Sequence, residues 1–157
     1  VNIFNLILIF NLLERQRIKM EQKDNRWFYS YRLDIVDDTL SINHIGQVQV
    51  AFESSASAMN RYALHIKEAA IRDMILNLFA RGQHMASELY VNLIRSNKIR
   101  PTVNEVLFTL SVIRHMLFIM TQVAPSDVDG YDEFQKFIYN AREKIDMIGE
   151  QFADIEK

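Results

Sequence analysis

Residues 131–155 read YDEFQKFIYNAREKIDMIGEQFADI, and no other part of the chain is so regular. Tyr131, Phe134, Ile138, Ala141, Ile145, Ile148, Phe152 and Ile155 recur at alternating intervals of three and four residues. At 3.6 residues per turn this draws one narrow apolar seam along a helix, with polar residues elsewhere. Such a seam must be covered by other helices, either in a bundle or from a second subunit. The spacing therefore predicts a helix over about 130–155 and directs attention to what could pack on it.

The preceding stretch, APSDVDG, is a loop, and before it the KIRPTVNE sequence marks a sharp boundary. Pro101 disfavours helix at Arg100, and Thr102 with Glu105 has the spacing of a capping box. A helix over about 102–122 follows. Val106, Leu107, Phe108, Leu110, Val112, Ile113 and residues 116–120 leave it apolar on most sides, as expected of a central or covered helix. Arg114 and His115 interrupt the run, so the expectation is a core helix and no transmembrane span.

Further upstream, residues 54–81 read as helix with Gly82 as its C-terminal stop. A shorter helix is expected over 84–97, with Leu89, Leu93 and Ile94 facing inward. The start of the first helix is ambiguous. QVQVAF (47–52) alternates like a strand, yet Ile45, Val48, Phe52, Ser55, Met59, Tyr62 and Ile66 also fit a helical spacing. A start near Ser54 is preferred over Gly46, because serine supplies an N-cap oxygen. RWFYSYRLDIV (26–36) places Trp27, Tyr29, Tyr31, Leu33 and Ile35 on one side of an alternating strand. The expected fold is mainly α: a four-helix bundle-like domain over residues 20–157, preceded by a small β-hairpin at about 27–52 and an apolar N-terminal arm at 1–19.

The composition narrows the chemistry. With 157 residues the chain is long enough for one domain with a real core. The absence of cysteine excludes disulfides, thiolate metal sites and cysteine nucleophiles, and suits a cytoplasmic setting. Only four glycines and two prolines occur, and the glycines are too scattered for a phosphate-binding loop. Residues 46–100 hold seven Lys/Arg against four Asp/Glu, whereas residues 101–157 hold five against ten. No chain-wide basic footprint for nucleic acid exists.

Local candidates remain. Arg95, Lys98 and Arg100 form a basic cluster at an expected helix end, where cations offset the helix dipole and can also grip phosphates. Trp27, Tyr29 and Tyr31, interleaved with arginines, suit either a buried strand or the stacking of single-stranded bases. His65 precedes Glu68 and His84 precedes Glu88 on shared helix faces, but neither has the order or spacing of a bundle metal site. No catalytic residue, metal or cofactor is expected. The leading functional expectation is a non-enzymatic helical interaction or assembly module, self-associating or binding a helical partner. The alternatives are a nucleic-acid-binding accessory protein and, third, a metal-dependent or hydrolytic enzyme.

The run VNIFNLILIFNLL (1–13) is about 20 Å long as a helix, too short for a bilayer core of about 30 Å. It lacks the basic start and small-residue cleavage site of a secretion signal. It reads either as an arm packed on the bundle or a neighbour, or as an extension upstream of Met20. Deleting residues 1–19 is expected to leave a cooperatively folded domain. A broad, non-cooperative thermal transition in that truncation would refute this.

Overall fold

The computed structural model describes the chain over residues 38–94 and 102–155, with side chains over 43–94 and 102–151. These residues form four helices and no strand: α1 (Asp38–Leu64), α2 (Ala69–Ile94), α3 (Val103–Val123) and α4 (Tyr131–Ile155). Each helix packs on two neighbours, in the order α1–α2–α3–α4 and back to α1. Gly46 at the start of α1 meets Tyr90 near the end of α2. His44 meets Gln151 near the end of α4, and Arg114 of α3 meets Asp146 of α4. These pairings make every adjacent pair antiparallel, so the helices run alternately down and up around one core.

The expected hairpin does not extend to Phe52. Residues 38–52 are helix, and the segment with Trp27, Tyr29 and Tyr31 lies outside the described residues, as do residues 1–19. Alternation in QVQVAF is compatible with a helix because Val48 and Val50 lie roughly 200° apart at 100° per residue. Val48 is buried and Val50 is 59% exposed. The longer pattern wins: Ile45, Val48, Phe52, Met59, Tyr62 and Ile66 are all buried. Ser54, expected as the N-cap, sits mid-helix and donates its hydroxyl to the Ala51 carbonyl at 3.4 Å.

The expected helix over 54–81 is two helices joined at His65–Glu68, without glycine or proline. The end of α1 tightens, with His65 N–H donating to Tyr62 O at 3.1 Å and Ile66 N–H to Ala63 O at 3.0 Å. His65 Nδ1–H donates to the Arg61 carbonyl at 2.7 Å, satisfying an acceptor that the ended helix leaves open. Ile66 is buried in the joint. Arg72 N–H donates to Glu68 O at 3.0 Å, the bond that begins α2.

Gly82 is no stop; α2 runs through it, so the expected helix over 84–97 is the second half of α2. Its role is close approach. A Cβ at Gly82 would lie 2.7 Å from Cε1 and 2.8 Å from Cζ of Phe52. The Phe52 ring cannot yield, because Phe79 and Phe137 press on it at centroid distances of 5.5 and 5.1 Å. α3 begins with the expected capping box: Thr102 Oγ1 accepts from Glu105 N–H at 3.2 Å, and Glu105 Oε2 accepts from Thr102 N–H at 3.1 Å. α3 and α4 otherwise lie within a residue or two of the expected spans. Before α4, Gly130 takes φ +92°, a conformation that favours glycine.

Gly82→Ala ordinarily gains about 1 kcal/mol of helix propensity. Here overpacking outweighs it, and the variant is expected to lose about 1–2 kcal/mol in chemical denaturation. Adding Phe52→Leu, which removes the obstructing ring, is expected to make the alanine neutral or favourable relative to Phe52→Leu alone.

Candidate functional site

Arg95, Lys98 and Arg100 fall outside the described residues, as do Trp27, Tyr29 and Tyr31. Neither set is placed relative to the bundle. The four histidines are on the page and lie apart. His44 of α1 accepts from the Gln151 amide at 3.0 Å. His65 caps α1, His84 pairs with Glu88 at 3.5 Å on an exposed face, and His115 is buried on α3. Among the described residues no three His, Asp or Glu side chains are grouped to hold a metal ion.

Two concave regions carry most of the polar detail. A groove of about 730 Å³ runs along the outer side of α4, lined by Ile138, Tyr139, Arg142, Asp146 and Met147, with Thr121 reaching it from α3. Of the four helix–helix seams, α3–α4 is the least closed. Arg114 Nε donates to Asp146 Oδ1 at 3.0 Å, an ion pair with Arg114 almost covered and Asp146 a third exposed. Burial, and then the nearby Arg114 charge, lower the pKa of the Arg142 guanidinium, while Asp146 opposes the shift. Asp146 thus sits between two cations and ties the open edge of α4 to α3.

The second region, about 450 Å³, lies at the end of the bundle where α1 meets the 124–130 loop. Tyr62 is buried and donates its hydroxyl to Pro125 O at 2.7 Å. Its ring stacks on Phe134, with centroids 5.0 Å apart, and Tyr131 stacks on Phe134 in turn at 5.9 Å. Arg61 reaches Glu133 at 3.6 Å across the opening, both side chains largely exposed. Burial raises the Tyr62 pKa, reinforced by Tyr131 and Asp127. The phenol is therefore kept protonated as a structural donor, the opposite of what a tyrosine base requires.

By length and composition alone α3 is apolar enough to cross a bilayer, with a mean hydropathy of 1.6, and half of that window is buried in the bundle. No protein-family model, curated protein or solved structure matches this chain. Sequence reasoning had singled out neither the α4 groove nor the Arg114–Asp146–Arg142 cluster. Its signal was present, since the polar side of α4 carries Tyr139 and Met147 amid charges.

Because the folded state raises the Tyr62 pKa, the stability it contributes is full below the unfolded value of about 10 and falls as pH rises beyond it. Tyr62→Phe is expected to cost about 1 kcal/mol at neutral pH through the lost hydrogen bond. It should also show a shallower loss of stability than the parent above pH 10. Denaturant titrations across that range check both, and identical alkaline slopes would contradict the assignment.

Proposed function

We propose that this chain is a non-enzymatic assembly module that pairs with a second copy of itself through the outer face of α4. The observation that carries the reading is a second seam on that helix, opposite its core seam. Lys136, Tyr139, Glu143, Met147 and Glu150 recur at intervals of three and four residues. Tyr139 is 71% exposed and Met147 39% exposed, two large apolar side chains on an otherwise charged surface beside the groove.

The seam is self-complementary when run antiparallel. A two-fold axis at Glu143 sets Tyr139 against Met147 of the second copy, and Lys136 against its Glu150, each contact made twice. Methionine sulfur against a tyrosine ring is a favourable and adaptable contact. The two Glu143 carboxylates meet at the axis and oppose association, which keeps the pairing moderate. The cysteine-free composition supports a cytoplasmic setting for such a module.

Sedimentation equilibrium of the full chain is expected to report a dimer at tens of micromolar. Lys136→Glu should weaken it about tenfold, since two exposed ion pairs become repulsive. Lys136→Glu with Glu150→Lys should restore it, and Glu143→Gln should strengthen it. A monomer at these concentrations, or a dimer indifferent to the charge swap, would overturn the proposal. Nucleic acid retained at low salt and lost steeply with added salt would instead favour Arg95, Lys98 and Arg100 as the working residues.

A further inference from the structure

α3 is buried on two opposite sides, and its neighbours account for one of them. Val103, Val106, Leu110, Ile113, Leu117 and Met120 form its core stripe, at intervals of three and four residues and all essentially inaccessible. Among the described residues α3 packs on α2 and α4, which lie on that side. Ile119 is two residues beyond Leu117, roughly 200° around the helix, so it points away from the core. It is nevertheless only 1% exposed. Ser111 and His115, one and two turns earlier on the same outer stripe, are buried as well. The stripe ends in exposed residues, Phe108 above and Gln122 below.

The 124–130 loop is not the cover. Its Pro125 carbonyl accepts from Tyr62 of α1, and a Cβ on Gly130 would meet Tyr62 at 3.3 Å, so the loop turns inward beneath the bundle. His115 and Ser111 lie two and three turns above it.

We propose that the apolar segment Ile3–Leu13 of the same chain covers this outer stripe of α3, lying lengthwise along it as a fifth element. Three features fit. From Phe108 to Gln122 is fourteen residues, about 21 Å of helix, against about 20 Å for residues 1–13 as a helix. The segment supplies nine Ile, Leu or Phe residues between 3 and 13, enough apolar surface to bury an isoleucine and leave little exposed. Residues 14–37 tether it to the start of α1, and an extended chain of that length spans up to about 80 Å, ample to reach any point on α3. The charge agrees as well. Arg15, Arg17 and Lys19 follow the apolar run, and the neighbouring groove presents Glu143, Asp146 and Glu150. This seat is separate from the α4 seam proposed for self-association.

Because the chain has no cysteine, engineered pairs are the only disulfides it can form. The test is a set of full-length variants with one cysteine at Phe108 or Gln122 and a second at successive positions from Ile3 to Leu13. Val50→Cys, exposed on α1 diagonally across the bundle, serves as control. After mild oxidation, non-reducing electrophoresis should show disulfides within one chain, recurring every three to four positions, for Phe108→Cys or Gln122→Cys and not for Val50→Cys. No disulfide, equal linkage to Val50→Cys, or disulfides only between chains would each overturn the proposal. None of these results bears on the charge-swap measurement of the α4 seam, so the two readings fail separately.

Discussion

The bundle depends on one contact, the edge of the Phe52 ring laid on the bare backbone of Gly82. Where it occurs, α1 and α2 approach more closely than any side chain would permit. The same ring is held by Phe79 of α2 and Phe137 of α4, and Phe79 and Phe137 touch each other at 5.1 Å. Three of the four helices thus meet at one aromatic cluster, and the packing of tilted and edge-on rings fixes their spacing more tightly than aliphatic contact alone. α3 is set onto that framework by its own apolar stripe and by the Arg114–Asp146 pair.

That contact explains why the first half of the chain was misread while the second half was legible. α3 and α4 carry their boundaries locally: Pro101, the Thr102–Glu105 capping box, the APSDVDG loop, and a strict three–four repeat. α1 and α2 do not. Their junction at His65–Glu68 has no residue that breaks a helix, and the chain turns there because Ile66 is drawn into the core and His65 caps Arg61. Both are tertiary effects, and they override a helical pattern that runs on unbroken through LHIKEAA. Gly82 misled for the same reason. A helix-ending glycine and a glycine for close packing look alike until the partner ring is known.

The candidate site was less legible than the fold. Clusters of arginine and of aromatic residues attract notice in a sequence, yet Arg95, Lys98, Arg100, Trp27, Tyr29 and Tyr31 all lie outside the described residues. What stands out instead is a seam of Tyr139 and Met147 spaced among charges on the solvated side of α4. Against the far stronger core seam of the same helix, two apolar residues are a faint signal. The burial of Ile119 on the far side of α3 had no signature at all, because an all-round apolar helix does not say which neighbour covers which face.

The central claim is that α1 and α2 form an antiparallel hairpin closed by Phe52 on Gly82. Electron–electron distance measurement between spin labels at Glu53 and Arg81, both exposed and level with that contact, tests it most directly. Packed helices whose axes are about 10 Å apart predict a label separation under about 25 Å. A single unbroken helix through His65–Glu68 separates the same positions by about 42 Å, and a distance in that range would contradict the account.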